Sequence, residues 1–240
     1  SGIVIEELNA LGLEVQTGVG KTGVVGILEG AGNGPTILYR ADMDALPVQE
    51  ANEVEYVSTE TGKMHACGHD GHTAIALGIA KLLSNHRDKL NGRVKFVFQP
   101  AEEIGNGAKS MVADGVLTSP KPDISLGIHL WNNLEVGITS IVSGPVMSGA
   151  SMFEIEVTGK GGHGAMPHQT ADPIVCASQI IVALQSIVSR NVDPLDTVVI
   201  SVGTIHGGVA RNVIPQTVTF EGTFRIFREE TREMVAKRIH

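Results

Sequence analysis

The chain has 240 residues, 42% of them hydrophobic and 18% charged, with 26 acidic against 18 basic side chains and a formal charge of −8. That is enough apolar material for a real core in one large or two modest domains, and it excludes a chiefly disordered chain. No Lys/Arg-rich run supplies the electrostatic footprint that nucleic acid or an anionic membrane needs, and no stretch approaches about 18 uninterrupted apolar residues, so neither partner is expected.

In chain order, the opening SGIVIEELNALGLEV carries Glu6 and Glu7 where a secretory signal would be basic and then apolar, so a cytoplasmic protein is expected. Apolar, β-rich runs follow at 22–28 (TGVVGIL), 36–40 (TILYR), 93–99 (RVKFVFQ) and 124–130 (ISLGIHL). Between them, 73–87 (TAIALGIAKLLSNHR) has the 3.6-residue apolar repeat of a packed helix, and 107–117 (GAKSMVADGVL) reads as a second helix ending near Gly115. Strands alternating with helices predict an α/β domain over 1–146 with a mostly parallel sheet. From residue 147 the rhythm changes. SMFEIEVTG alternates as a half-buried strand, a Gly/His/Pro loop follows, and ADPIVCASQIIVALQSIVSR is one long helix with Pro173 in its first turn. Two strands (TVVISVGTIHGG, VTFEGTFRIF) and a charged amphipathic helix complete a β, α, β, β, α order. That predicts a smaller α+β domain over 147–240 of split βαβ, ferredoxin-like type, short of its last strand.

The two cysteines differ in company. Cys176 lies in the apolar helix, where a free thiol behaves as a small hydrophobe. Cys67 lies in KMHACGHDGHTA (63–74), which packs His65, Cys67, His69, Asp70 and His72 into eight positions. That turn is either a metal site or a polar loop rich in histidine. Predicted strand exits elsewhere also carry polar side chains: Asp42 and Asp44 after TILYR, Glu102 and Glu103 after RVKFVFQP, and His129 at the end of ISLGIH. A lone histidine is more often a satisfied core residue, and an acidic pair more often a solvated loop. Three such features at strand ends, where open α/β sheets collect ligands, favour a site. Thiolate, imidazole and carboxylate together suit Zn²⁺, Mn²⁺, Co²⁺ or Ni²⁺ better than Ca²⁺ or Mg²⁺, and a single cysteine suits a catalytic rather than a structural metal. Adjacent glutamates could then divide the work, one as a ligand and one moving a proton.

The segments ADMDALP, MHACGHDGHT, FVFQPAEE, GIHLW, GKGGHGAMPH and ARNVIP, in this order, resemble the amidohydrolase branch of the aminoacylase/carboxypeptidase family of dinuclear metallopeptidases. That branch includes hippurate hydrolases and indole-acetyl-amino-acid hydrolases. The resemblance implies a catalytic domain with an inserted lid and dimerisation domain. It also implies two divalent ions held by Cys67, His69, Glu103 and His129, with Glu102 as general acid/base. Asp42 and Asp70 would lie behind the ligands. Where much of the wider family has a His-X-Asp motif, this chain reads Arg40, Ala41, Asp42, with Cys67 entering the ligand set instead. His163 would match a lid residue that, in dimeric relatives, reaches into the partner's active site and helps hold the scissile carbonyl, and Asn212 and Arg225 would bind the substrate carboxylate, although a turn Asn and a surface Arg are equally ordinary readings. His65 and His72 are left as helix-start residues or supports behind the ligands.

The function so implied is hydrolysis of the amide bond of N-acyl amino acids by a homodimer joined through the lid. The alternatives are a carboxypeptidase or dipeptidase acting on short peptides, or a catalytically silent metal-binding relative. By the resemblance, relatives take a further His ligand from near their C-terminus, which this chain is expected to stop short of, and a catalytic-domain helix before Ile3 is also expected to be missing, so the chain reads as truncated at both ends.

Overall fold

A computed structural model describes residues 1–240. The chain divides into two compact units, Ser1–Ile138 and Thr139–His240, a boundary eight residues ahead of the expected one at 146/147.

The first unit is an α/β structure in which helices cover both faces of a five-stranded sheet. Its elements are α1 (Gly2–Ala10), β1 (Glu14–Val19), β2 (Gly23–Glu29), β3 (Gly32–Asp42), α2 (His69–Ser84), β4 (Asn91–Gln99), α3 (Gly107–Ala113) and β5 (Ile124–Gly127). The strand order is β1-β2-β4-β3-β5. β3 pairs in parallel with both β4 and β5, while β1–β2 and β2–β4 pair antiparallel. The half of the sheet that carries the polar strand exits is therefore the parallel half.

Alternation builds the two cores. In β4, Val94, Phe96 and Phe98 point to one face with Val24 and Leu28 of β2, and there they meet Val4 and Leu8 of α1 and Ala76 and Ala80 of α2. Val97 points to the other face with Val25, Ile27 and Leu38, under Met111 and Val116. Phe96 and Phe98 are completely buried, which stabilises the unit by about 1.5–3 kcal/mol each relative to exposure. Lys95 is buried on the second face, and its ammonium donates to the carbonyls of Val116 (2.6 Å), Ser119 (3.0 Å) and Pro120 (3.2 Å). Those three bonds make burial of a charge tolerable and tie the loop before β5 to the sheet.

The second unit contains β6 (Gly149–Thr158), β7 (Gly162–His163), α4 (Pro173–Asn191), β8 (Val199–Gly207), β9 (Val213–Ile214), β10 (Thr217–Ile226) and α5 (Glu229–Ile239). β10 is central in an antiparallel sheet of order β6-β10-β8, and α4 and α5 pack on one face around Leu184, Ile187, Phe220, Phe224 and Val235. Asp172 caps α4 by accepting from Ile174 N and Val175 N, with Pro173 at the first helical position. At 19 residues α4 is long and apolar enough to span a membrane by length and composition; it buries Ala177, Leu184 and Ile187 against the sheet and leaves Ile174, Val175 and Val182 exposed. Cys176 departs from expectation: it is exposed, because the inward stripe of α4 passes through Pro173, Ala177, Leu184 and Ile187. Both thiols are free.

Candidate metal centre

The register of the parallel strands brings the polar exits together. Asp42 of β3 is level with Gln99 of β4, and Arg40 is level with Gly127 of β5, so 42–44, 102–103 and 129 all leave the sheet at the same end. The histidine-rich turn joins them because α2 begins at His69, four residues before the apolar repeat. Gly68 makes this possible: at φ 82° and ψ 18° it takes a left-handed conformation that costs glycine little, and the chain turns from loop into helix there. Gly71, three residues on, is helical. A β-carbon at Gly71 would stand 2.4 Å from Leu130 Cδ1, so its role is close approach.

His69 is the centre of the cluster. Its ring is buried, and Nδ1 lies 2.9 Å from the carbonyl oxygen of Asp44. A carbonyl only accepts, so Nδ1 carries a proton, and in the neutral ring, the form a metal would bind, Nε2 presents a lone pair. That Nε2 is buried and has no hydrogen-bond partner. Around it stand Asp42 Oδ2 at 3.5 Å, Glu103 Oε1 at 3.8 Å and Glu102 Oε2 at 3.9 Å. A lone pair ringed by carboxylates is repulsive unless a cation lies between them. The ligand atoms of Cys67, His69 and Glu103 lie within 4.8 Å of one another, the separation that a shared metal ion would bridge.

Cys67 and His129 extend the set. Cys67 Sγ is 3.5 Å from His129 Nε2, and His129 Nδ1 is 2.6 Å from the carbonyl of Leu130, so Nε2 is again the bare nitrogen. Burial, and then the negative charges of Glu103, Glu102 and Asp42, push the Cys67 thiol above its ordinary pKa. Without a cation the sulfur keeps its proton, which a metal would displace. Asp42 behaves in the opposite way. Burial pushes its carboxyl up, but the hydrogen bond from His72 and the positive charge of Arg40 outweigh burial and hold it below the usual carboxylate range. Arg40 reaches Asp42 Oδ2 at 2.8 Å and donates from Nε to Gln99 Oε1 at 2.9 Å.

The glutamates follow a strained residue. Ala101 has φ 52°, a left-handed conformation unusual for a side chain with a β-carbon, and Gly107 N donates to its carbonyl. Glu103 is then fixed by its own backbone, whose N–H donates to Asp44 Oδ2 at 3.1 Å. The Glu102 side chain is 41% exposed and that of Glu103 is 23% exposed.

Cys67, His69, Glu102, Glu103, His129 and Asp42 are thus brought together. Asp70 is not: it is exposed, and its carboxylate accepts from the neighbouring Gly71 N. His65 is also exposed. In the second unit, His163 lies on β7 opposite Val213 of β9, and Gly164 N donates to the carbonyl of Asn212 at 2.8 Å, so these two share one small ladder. Ala165 N donates to His163 Nδ1 at 3.1 Å, which leaves Nε2 as the protonated, outward nitrogen. Arg225 lies exposed on β10 and forms no hydrogen bond with either. Sequence reasoning placed Asp44 beside Asp42 at the same strand exit without giving it a specific role, and it gave none to Arg40 or Gln99.

Fold and cluster together define an α/β protein whose parallel strands gather thiol, imidazole and carboxylate groups of the kind that hold divalent metals. Residues 38–226 match Peptidase family M20/M25/M40, and the chain belongs to that family. It is 48% identical over 239 residues to an IAA-amino acid hydrolase ILR1-like 4 of Arabidopsis thaliana, covering 100% of this chain and 54% of that protein. It is 50% identical over 216 residues to an N-acyl-L-amino acid amidohydrolase of Geobacillus stearothermophilus, covering 90% of this chain and 58% of that protein. The chain therefore spans little more than half the length of these curated relatives. Among solved structures, the Bacillus subtilis YXEP protein, described as a dinuclear metal binding peptidase from the M20 family, aligns with a TM-score of 0.81 at 37% identity. That alignment covers 99% of this chain and 61% of that one.

Proposed function

We propose that the full-length protein hydrolyses the amide bond of N-acyl amino acids, with Cys67, His69, Glu103 and His129 holding divalent metal ions and Glu102 moving the proton. The observation that carries this reading is the buried, partnerless Nε2 lone pair of His69 facing three carboxylates. The donor set of one thiol, imidazoles and a carboxylate fits Zn²⁺, Mn²⁺, Co²⁺ or Ni²⁺. When bound, such ions lower the pKa of water and polarise a carbonyl. Glu102, whose side chain is the more exposed of the two although Glu103 is the more exposed as a whole residue, is free to accept a proton from water and return it to the departing amine. His163, with Nε2–H directed outward, is proposed to donate to the substrate carbonyl, and Asn212 and Arg225 to bind the substrate carboxylate. The amidohydrolase and IAA-amino acid hydrolase names of close relatives support the substrate class.

The test is metal analysis of the full-length protein and its hydrolysis of a panel of N-acetyl, N-benzoyl and indole-acetyl amino acids beside dipeptides. Metal-dependent turnover of the acyl amino acids is expected. Turnover of dipeptides alone would replace this reading with a peptidase one, and metal binding without turnover of either would mean a silent relative.

We also infer a homodimer formed through the second unit. Its three-stranded sheet has open edges at β6 and β8, and α4 presents Ile174, Val175 and Val182 to solvent. Sedimentation at micromolar concentration should show a dimer; a fully active monomer would overturn this.

A further inference from the structure

His72 is the one buried histidine of the cluster to which neither ligation nor proton transfer has been given. With Asp42 and His69 it forms a second compact group of potential ligands, their donor atoms within 4.8 Å of one another, so on proximity alone it could be a third-ligand position. Its hydrogen bonds argue otherwise. Leu130 N donates to His72 Nε2 at 2.8 Å, and a backbone N–H can only donate, so Nε2 is the bare nitrogen. The ring proton is then on Nδ1, which donates to Asp42 Oδ1 at 2.6 Å. Both nitrogens are engaged, in one tautomer, in a ring that is 2% exposed. A metal could take His72 only by stripping the part-buried Leu130 N–H of its acceptor or the buried Asp42 carboxylate of its donor, the latter at about 1–3 kcal/mol for a buried group left unsatisfied.

The two bonds connect distant parts of the chain. One end is Asp42 at the exit of β3, whose other oxygen faces Arg40 at 2.8 Å and His69 Nε2 at 3.5 Å. The other end is the segment after β5, where His129 immediately precedes Leu130 and its ring packs edge-on against His72 at 4.7 Å between centroids. Leu130 also covers the start of α2, in contact range of any β-carbon at Gly68 or Gly71. Because β5 ends at Gly127, no ladder holds residues 128–131, and the Leu130 N–H to His72 bond takes its place.

We propose that His72 is a positioning residue: a neutral, Nδ1-protonated brace that sets the His129 segment against Asp42 and so fixes the spacing of His129, Cys67 and His69. This rests on the metal-centre reading for its consequence but not for its geometry. Groups that orient metal ligands typically influence affinity by about 10–100-fold when lost.

The experiment uses His72→Leu and His72→Gln in the full-length protein. Glutamine can place its carbonyl oxygen near the position of Nε2 and accept from Leu130 N; leucine cannot. Hydrogen exchange of residues 128–131 in the metal-free protein reads the brace directly, and Co²⁺ titration, followed by the thiolate absorbance of Cys67, reads its effect. His72→Leu should speed exchange at Leu130 and weaken Co²⁺ about 10–100-fold with unchanged stoichiometry at saturation, and His72→Gln should recover much of both. Unchanged exchange and affinity in His72→Leu would overturn the proposal, and loss of a Co²⁺ equivalent at saturation would make His72 a ligand instead. Should the wild-type protein bind no Co²⁺, the metal-centre reading fails, while exchange still decides the brace. Nitrogen NMR of the wild-type ring needs no variant: a protonated Nδ1 with a bare Nε2 is expected, and the opposite tautomer would overturn the assignment.

Discussion

Glu102 and Glu103 have the same chemistry and nearly the same distance to His69 Nε2, 3.9 Å and 3.8 Å, so distance alone cannot divide their roles. Their surroundings can. Glu103 has its backbone fixed to Asp44 and belongs to the compact group with Cys67 and His69, whereas Glu102 has the more solvent-exposed side chain. Glu103→Gln removes a negative charge from the donor set, so metal content and activity should fall together. Glu102→Gln leaves that group intact but cannot accept and return a proton. General acid/base catalysis contributes about 10²- to 10⁴-fold, so kcat should fall by at least about 10²-fold, or roughly 2.7 kcal/mol of barrier, with metal content near normal. Metal analysis and steady-state kinetics on both variants of the full-length protein decide the matter. If Glu102→Gln loses metal and Glu103→Gln retains it, the assignments are reversed; wild-type turnover in Glu102→Gln refutes the proton-transfer role.

Cys67→Ser should weaken metal binding sharply, and thiol reagents should modify Cys67 much faster in metal-free than in metal-loaded protein, with Cys176 reacting alike in both; equal protection of the two would point to a loop thiol. Ala101→Val should lower stability by about 1–3 kcal/mol, since a β-branched residue fits poorly at φ 52°, while Ala101→Gly should be tolerated; equal melting temperatures for the two would show that the strain is not there. Phe98→Ala, at a completely buried position in the core between β4 and the helices, should cost about 3–5 kcal/mol by denaturant unfolding, and a loss below about 1 kcal/mol would mean that this core collapses around the gap. Lys95→Met should cost about 1–3 kcal/mol, because the carbonyls of Val116, Ser119 and Pro120 lose their donor; a neutral result would show that water replaces it.

Apolar, β-rich runs carried β2, β3 and β4, of which β2 and β4 are buried on both faces, while β6, β8, β10 and the helices α2, α4 and α5 were legible from patterns that burial of one face imposes on the residues. Where burial is partial the pattern fades. β1 is an edge strand with no buried residue and was not predicted. α1 was missed although Val4, Leu8 and Leu11 stand at helical spacing. β5 stops at Gly127 rather than residue 130, because its pairing with β3 runs from Ile37–Ile124 to Arg40–Gly127 and no further. The residue types of the candidate centre were legible because thiol, imidazole and carboxylate at strand exits are chemically unusual together. Which of them converge was not legible: Asp70 and His72, two residues apart in one helical turn, point to solvent and to the interior respectively. Only the packing of α2 against β3, with Thr73 donating to the Asp42 carbonyl and His72 to its carboxylate, decides that. The tautomers of His69 and His72 likewise depend on backbone groups contributed by the segments after β3 and after β5, at sequence separations of 25 and 58 residues that no local pattern records.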